Sequence, residues 1–139
     1  MSQNSPEIKH LKLSLLLLRL GVFIVFLVWT LDKFFKPEHT AKVFSKFYFI
    51  ENLSINMTYV VGAIQLLILF AFLLGIMKLF SYGLLLLMHL VSTLTPFAKY
   101  LDPFANTNLL FFAAWPMLAA LIALYLLRDH DTLLNIPKR

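Results

Sequence analysis

The chain has no cysteine in its 139 residues. That absence excludes disulfides, thiol nucleophiles, iron–sulfur clusters and cysteine-held metals, and it leaves the compartment unmarked by redox chemistry. Charge is also scarce, at 14% of residues. No cluster of His, Asp and Glu offers the three or four ligands a zinc site requires, so no metal is expected. No glycine-rich phosphate loop is present. A bis-histidine haem needs two histidines on facing membrane helices, and only His89 lies inside an apolar run. These gaps leave catalysis without an obvious residue set.

Apolar side chains are what the sequence has in excess: 60% of residues are hydrophobic, against roughly 45–50% in an ordinary soluble domain. A soluble domain this small keeps too much surface to hide that fraction. Lipid is the solvent it calls for. The formal net charge is +5, but the basic residues flank apolar runs. Their expected partners are lipid headgroups, and nucleic acid is not expected.

Four apolar runs organise the chain, at 11–31, 57–77, 79–95 and 108–127. The first, at about 1.5 Å per residue, reaches about 31 Å and crosses a hydrocarbon core of about 30 Å. It is too long for a signal-peptide core. The third is near the lower limit for spanning. Between the first two runs, Pro37 and Glu38 form a good helix start. After them Val43, Phe44, Phe47 and Tyr48 share one helical face, predicting a short amphipathic helix over 38–49 that lies in the headgroup plane. Short connections force neighbouring helices to reverse. The expected fold is therefore an all-α membrane protein: one domain over 1–139, an antiparallel up-down four-helix transmembrane bundle with a short interfacial helix between spans one and two.

Four crossings put both termini on one side, with Lys9, Lys12, Lys78, Arg128, Lys138 and Arg139; Lys33, Lys36, Lys42, Lys46 and Lys99 fall on the other. Six against five favours cytoplasmic termini by the positive-inside rule.

Polar groups at membrane depth cost energy and need a reason. Arg19 sits inside the first run; it either snorkels to the headgroups or turns inward to an acceptor or an anionic group. Gln65 and His89 fall at matching depth in the second and third runs, where a direct or water-mediated hydrogen bond is their cheapest arrangement. Ser92 and Thr93 follow His89 by one turn. At the end of the first run Asp32 is expected to face inward while Lys33 reaches the headgroups. Asn108 is expected to cap the fourth span, and Pro116 to free the Phe112 carbonyl and kink that helix. The candidate pocket residues are thus Arg19, Asp32, Gln65, His89, Ser92 and Thr93.

In Leu18-Arg19-Leu20-Gly21, Leu31-Asp32-Lys33-Phe34 and Gly62-Ala63-Ile64-Gln65 the chain resembles the DoxX-like family of small four-helix membrane proteins, over about residues 13 to 127. The family commonly has an acidic residue near the position of Gln65, so a role needing a carboxylate there is not implied. The resemblance implies a multi-pass protein of the bacterial inner membrane, with relatives linked to quinone-coupled oxidation or to assembly of other membrane proteins. Two functions are therefore expected in competition. One is a binding or accessory subunit for a membrane partner, a second copy of itself or a lipid-like ligand. The other is a subunit of a quinone-linked oxidoreductase, with quinone as its cofactor and Arg19, Gln65 and His89 around the quinone headgroup. A small permease ranks third, because paired charges and broken helices are missing.

Overall fold

The computed structural model describes residues 5–136, and among these every regular element is helical. Helix α1 spans Pro6–Phe35, α2 Pro37–Tyr48, α3 Ile55–Leu73, α4 Lys78–Leu94, α5 Phe97–Leu101 and α6 Ala114–Leu126, with a 3₁₀ segment Asn108–Ala113 leading into α6. Lys138 and Arg139, counted above for the terminal side, lie outside the described residues.

Prolines, rather than the change from apolar to polar, set the ends of α1. Pro6 occupies its first turn, with Glu7 at the positive end of the helix dipole. Pro37 disfavours helical geometry at Lys36, whose φ is −138°. The helix therefore runs beyond its apolar run at both ends. Its 30 residues give about 45 Å at 1.5 Å per residue, more than a bilayer core needs.

Helix α3 starts at Ser54, whose hydroxyl accepts the Met57 N–H at 3.2 Å. It ends four residues before the apolar run does, because Gly75 (φ +64°) and Met77 (φ 46°) break the chain into a tight turn. Within α3, Gly62 lets α1 approach closely. A Cβ there would meet the Phe34 ring at 2.8 Å.

Among the described residues, three helical stretches are long and apolar enough to cross a membrane: α1, α3 and the joined segment Asn108–Leu126. Helix α4 is apolar but shorter, at 17 residues. Many apolar side chains point away from the protein: Leu17, Val28, Leu67, Phe80, Leu87 and Leu110 are each more than half exposed. An outward apolar shell spread over four helices has no counterpart on a soluble monomer and marks a membrane protein. Inside, Leu15, Val22, Leu69, Phe72, Leu85 and Leu121 belong to one buried cluster. Helix α1 packs on α3 and α6, and α4 packs on α3 and α6.

Several local expectations need correcting. Asn108 does not cap; its Nδ2 donates to the Asp102 carbonyl at 2.9 Å, tying down the loop before the 3₁₀ segment. Pro116 does not kink a continuous helix. It sits in the first turn of α6, and the residues before it wind as 3₁₀, which suits a stretch whose α-helical hydrogen bond to Pro116 cannot form. Lys33 does not reach outward: it is buried, and its Nζ donates to the Trp29 carbonyl at 3.1 Å. Beyond α6, residues 128–136 fold back against the core.

Candidate functional site

The sequence candidates separate into two clusters. The first centres on Arg19, which is fully buried on α1 and does not snorkel. Its guanidinium donates to the Tyr82 hydroxyl of α4 at 3.2 Å. It also reaches the segment beyond α6, bonding Asn135 Oδ1 at 2.5 Å and the Leu133 carbonyl. Arg19 Nε lies 3.6 Å from Asp131 Oδ2, and both side chains are fully buried. Tyr82 in turn donates to Asp131 Oδ2 at 2.7 Å.

The returning chain is held in place by three further hydrogen bonds. Lys78 Nζ donates to the Arg128 carbonyl at 2.9 Å and to the Asp131 carbonyl at 2.5 Å. The Ile136 N–H bonds the Leu74 carbonyl at 3.0 Å. An arginine cannot shed its charge to escape burial, so it needs this anion and these acceptors. The cluster is not fully satisfied: Arg19 Nε and Asp131 Oδ1 are sealed without hydrogen-bond partners. Asp131, Tyr82 and Asn135 escaped the sequence reading. Their one available signal was that a buried arginine demands a counter-charge, which Asp129 or Asp131 was placed to supply.

The second cluster lines a partly open, mostly apolar cavity of about 830 Å³. Asp32, Gln65, His89 and Ser92 all line it; Arg19 and Thr93 do not. Thr93 is buried and its Oγ1 donates to the His89 carbonyl at 2.7 Å. His89 Nε2 pairs with the Ala114 carbonyl at 3.0 Å, and no hydrogen bond joins it to Gln65. Gln65 Oε1 is buried without a partner.

Helix α2 closes one side of this cavity. Its apolar face, Val43, Phe44, Phe47 and Tyr48, turns onto the cavity, and the helix packs on α1 and α3. The apolar face of α2 therefore meets the bundle, while Lys42, Ser45 and Lys46 on its other face are exposed. Asp32 latches its first turn to α1. Asp32 Oδ2 pairs with His39 Nδ1 at 2.6 Å and accepts from Thr40 Oγ1 at 3.3 Å. At the far end of α2, the Tyr48 phenol lies beside Thr95. Burial pushes the phenols of Tyr48 and Tyr100 up from their ordinary value, so both remain hydroxyls at neutral pH.

Comparison with family models, with curated proteins and with solved structures gives no match. The geometry of the two clusters therefore carries the functional argument. A cavity of this volume, apolar with a few convergent polar groups, has the dimensions and character of a small-molecule site. The Arg19 cluster, by contrast, is filled by the chain's own residues.

Proposed function

We propose that the chain is a four-span integral membrane protein of DoxX-like type, an antiparallel up-down bundle with cytoplasmic termini. In this reading it is a binding subunit that holds one lipid-like molecule in the cavity beneath α2. Helix α4 completes the fourth crossing because it packs between α3 and α6, which supply the lipid-facing length it lacks.

The observation that carries the binding role is the 830 Å³ cavity itself, with an apolar wall and with His89, Gln65 and Asp32 on its lining. An apolar molecule entering it from the bilayer keeps an apolar environment, while its polar end gains partners unavailable in hydrocarbon. The role is that of an accessory protein: it carries or senses an amphiphile, alone or beside a membrane partner.

The competing redox reading required Arg19, Gln65 and His89 around one quinone headgroup. Arg19 is instead engaged by Asp131 and Asn135, which leaves that reading two of its three residues.

Native mass spectrometry of protein purified in mild detergent tests the proposal. One amphiphile per chain is expected on the unaltered protein, and Ala113→Trp, which fills the cavity from its wall, should release it. Retention of the same molecule by the filled variant would refute the assignment. A quinone as the retained molecule, with its ultraviolet absorbance, would favour the redox reading.

A further inference from the structure

The hydrogen-bonding inventory of the cavity wall narrows the class of ligand, an inference that rests on the binding role proposed above. His89 Nε2 lies 3.0 Å from the Ala114 carbonyl oxygen. A carbonyl only accepts, so Nε2 carries the proton and Nδ1 of the neutral ring presents a lone pair. Nδ1 has no protein partner and is not among the sealed atoms; it opens on the cavity that His89 lines.

Four of the hydroxyls around it, all but that of Tyr48 on α2, are committed elsewhere. Ser92 Oγ donates to the His89 carbonyl at 3.0 Å and Thr95 Oγ1 to the Ser92 carbonyl at 3.4 Å. Tyr100 donates to the Thr93 carbonyl at 2.8 Å, and Thr40 to Asp32. Each therefore offers the cavity lone pairs and no proton. The α4 wall is a surface of acceptors.

Donors come from the opposite wall. Lys33 spends one N–H on the Trp29 carbonyl and keeps two, and the Gln65 side chain lines the same space. The carboxylate of Asp32 on the same lining is already engaged by His39 and Thr40, so acceptors on α4 facing the Lys33 ammonium and the Gln65 amide, which brings an acceptor oxygen as well as donors, call for a group that donates and accepts at once.

We infer that the cavity binds an amphiphile whose polar end is a neutral hydroxyl, donating to His89 Nδ1 and accepting from the α1–α3 wall. A ketone, ester or ether end can only accept and leaves the His89 lone pair unmatched. An ammonium end donates, but it has no lone pair with which to accept from Lys33 or Gln65.

The test compares lauryl alcohol with lauryl methyl ether, which keep the chain and the oxygen but differ in the proton. Binding is measured on the full chain in phosphatidylcholine nanodiscs, with empty discs as the partition control. Saturable binding of one alcohol per chain is expected. The ether should bind about tenfold more weakly, the usual scale for a buried hydrogen-bonding group left unmatched. His89→Phe should bring the alcohol down to the level of the ether. Equal affinity of the two probes for the unaltered protein would overturn the hydroxyl assignment while leaving the cavity as a binding site. Failure of both to bind saturably would overturn the binding role as well. Full discrimination retained in His89→Phe would remove His89 from the site, and with it this inference.

Discussion

Arg19 and Asp131 stand or fall together. A buried pair contributes little net stability when intact, but removing one partner strands a charge at an expected cost on the order of 3 kcal/mol. Asp131→Asn should therefore lower the melting temperature in detergent far more than Asp129→Asn, its neighbour outside the cluster. Arg19→Lys tests geometry rather than charge: one ammonium cannot serve Tyr82, Asn135 and the Leu133 carbonyl in the directions that the planar guanidinium reaches. It should destabilise measurably more than Lys12→Arg at the half-buried start of α1, and equal melting of the two variants would count against the cluster. Gly75→Ala probes the same place from the backbone. Its φ of +64° is unfavourable for an L-residue, and the added methyl would strike Asn135. The left-handed geometry alone costs about 1–2 kcal/mol, so a loss of at least that size should appear in thermal unfolding.

At the scale of elements, the sequence was readable where a single physical signal dominated. Long apolar runs located α1, α3 and α4 to within a few residues, and the Pro37-Glu38 start with a one-sided aromatic face located α2. What escaped was whatever depended on contacts distant in sequence. The return of 128–136 onto Arg19 joins residues more than a hundred positions apart, and its local composition reads only as a polar tail. The apolar face of α2 was legible, but the cavity it closes was not, because the opposite wall comes from α4 and α5. Lys33 turned inward because its own helix offers the Trp29 carbonyl, which no periodicity reveals. The returning segment gives a prediction at this scale: a chain ending at Arg128 loses Asp131, Leu133 and Asn135 at once and should be less stable than Arg19→Lys alone. Restoring that stability by adding Arg19→Met to the shortened chain would identify the stranded charge as the cause, since an apolar residue of similar length needs no partner. No recovery would place the effect in lost packing instead.

For the whole molecule, the two clusters divide the labour. The Arg19 cluster closes the core with residues 131–135, and the cavity under α2 stays partly open with Gln65 Oε1 unpartnered. Both are built on α4 packed against α3 and α6, and in the four-span proposal α4 also crosses the bilayer there. Because the chain contains no cysteine, single introduced cysteines report the crossings without background. The most direct test labels such cysteines in sealed, oriented vesicles with a membrane-impermeant maleimide, at positions 9, 42, 78, 102 and 130. Four crossings predict that 9, 78 and 130 label from one side and 42 and 102 from the other. Labelling of 78 from the same side as 42 would contradict the four-span account.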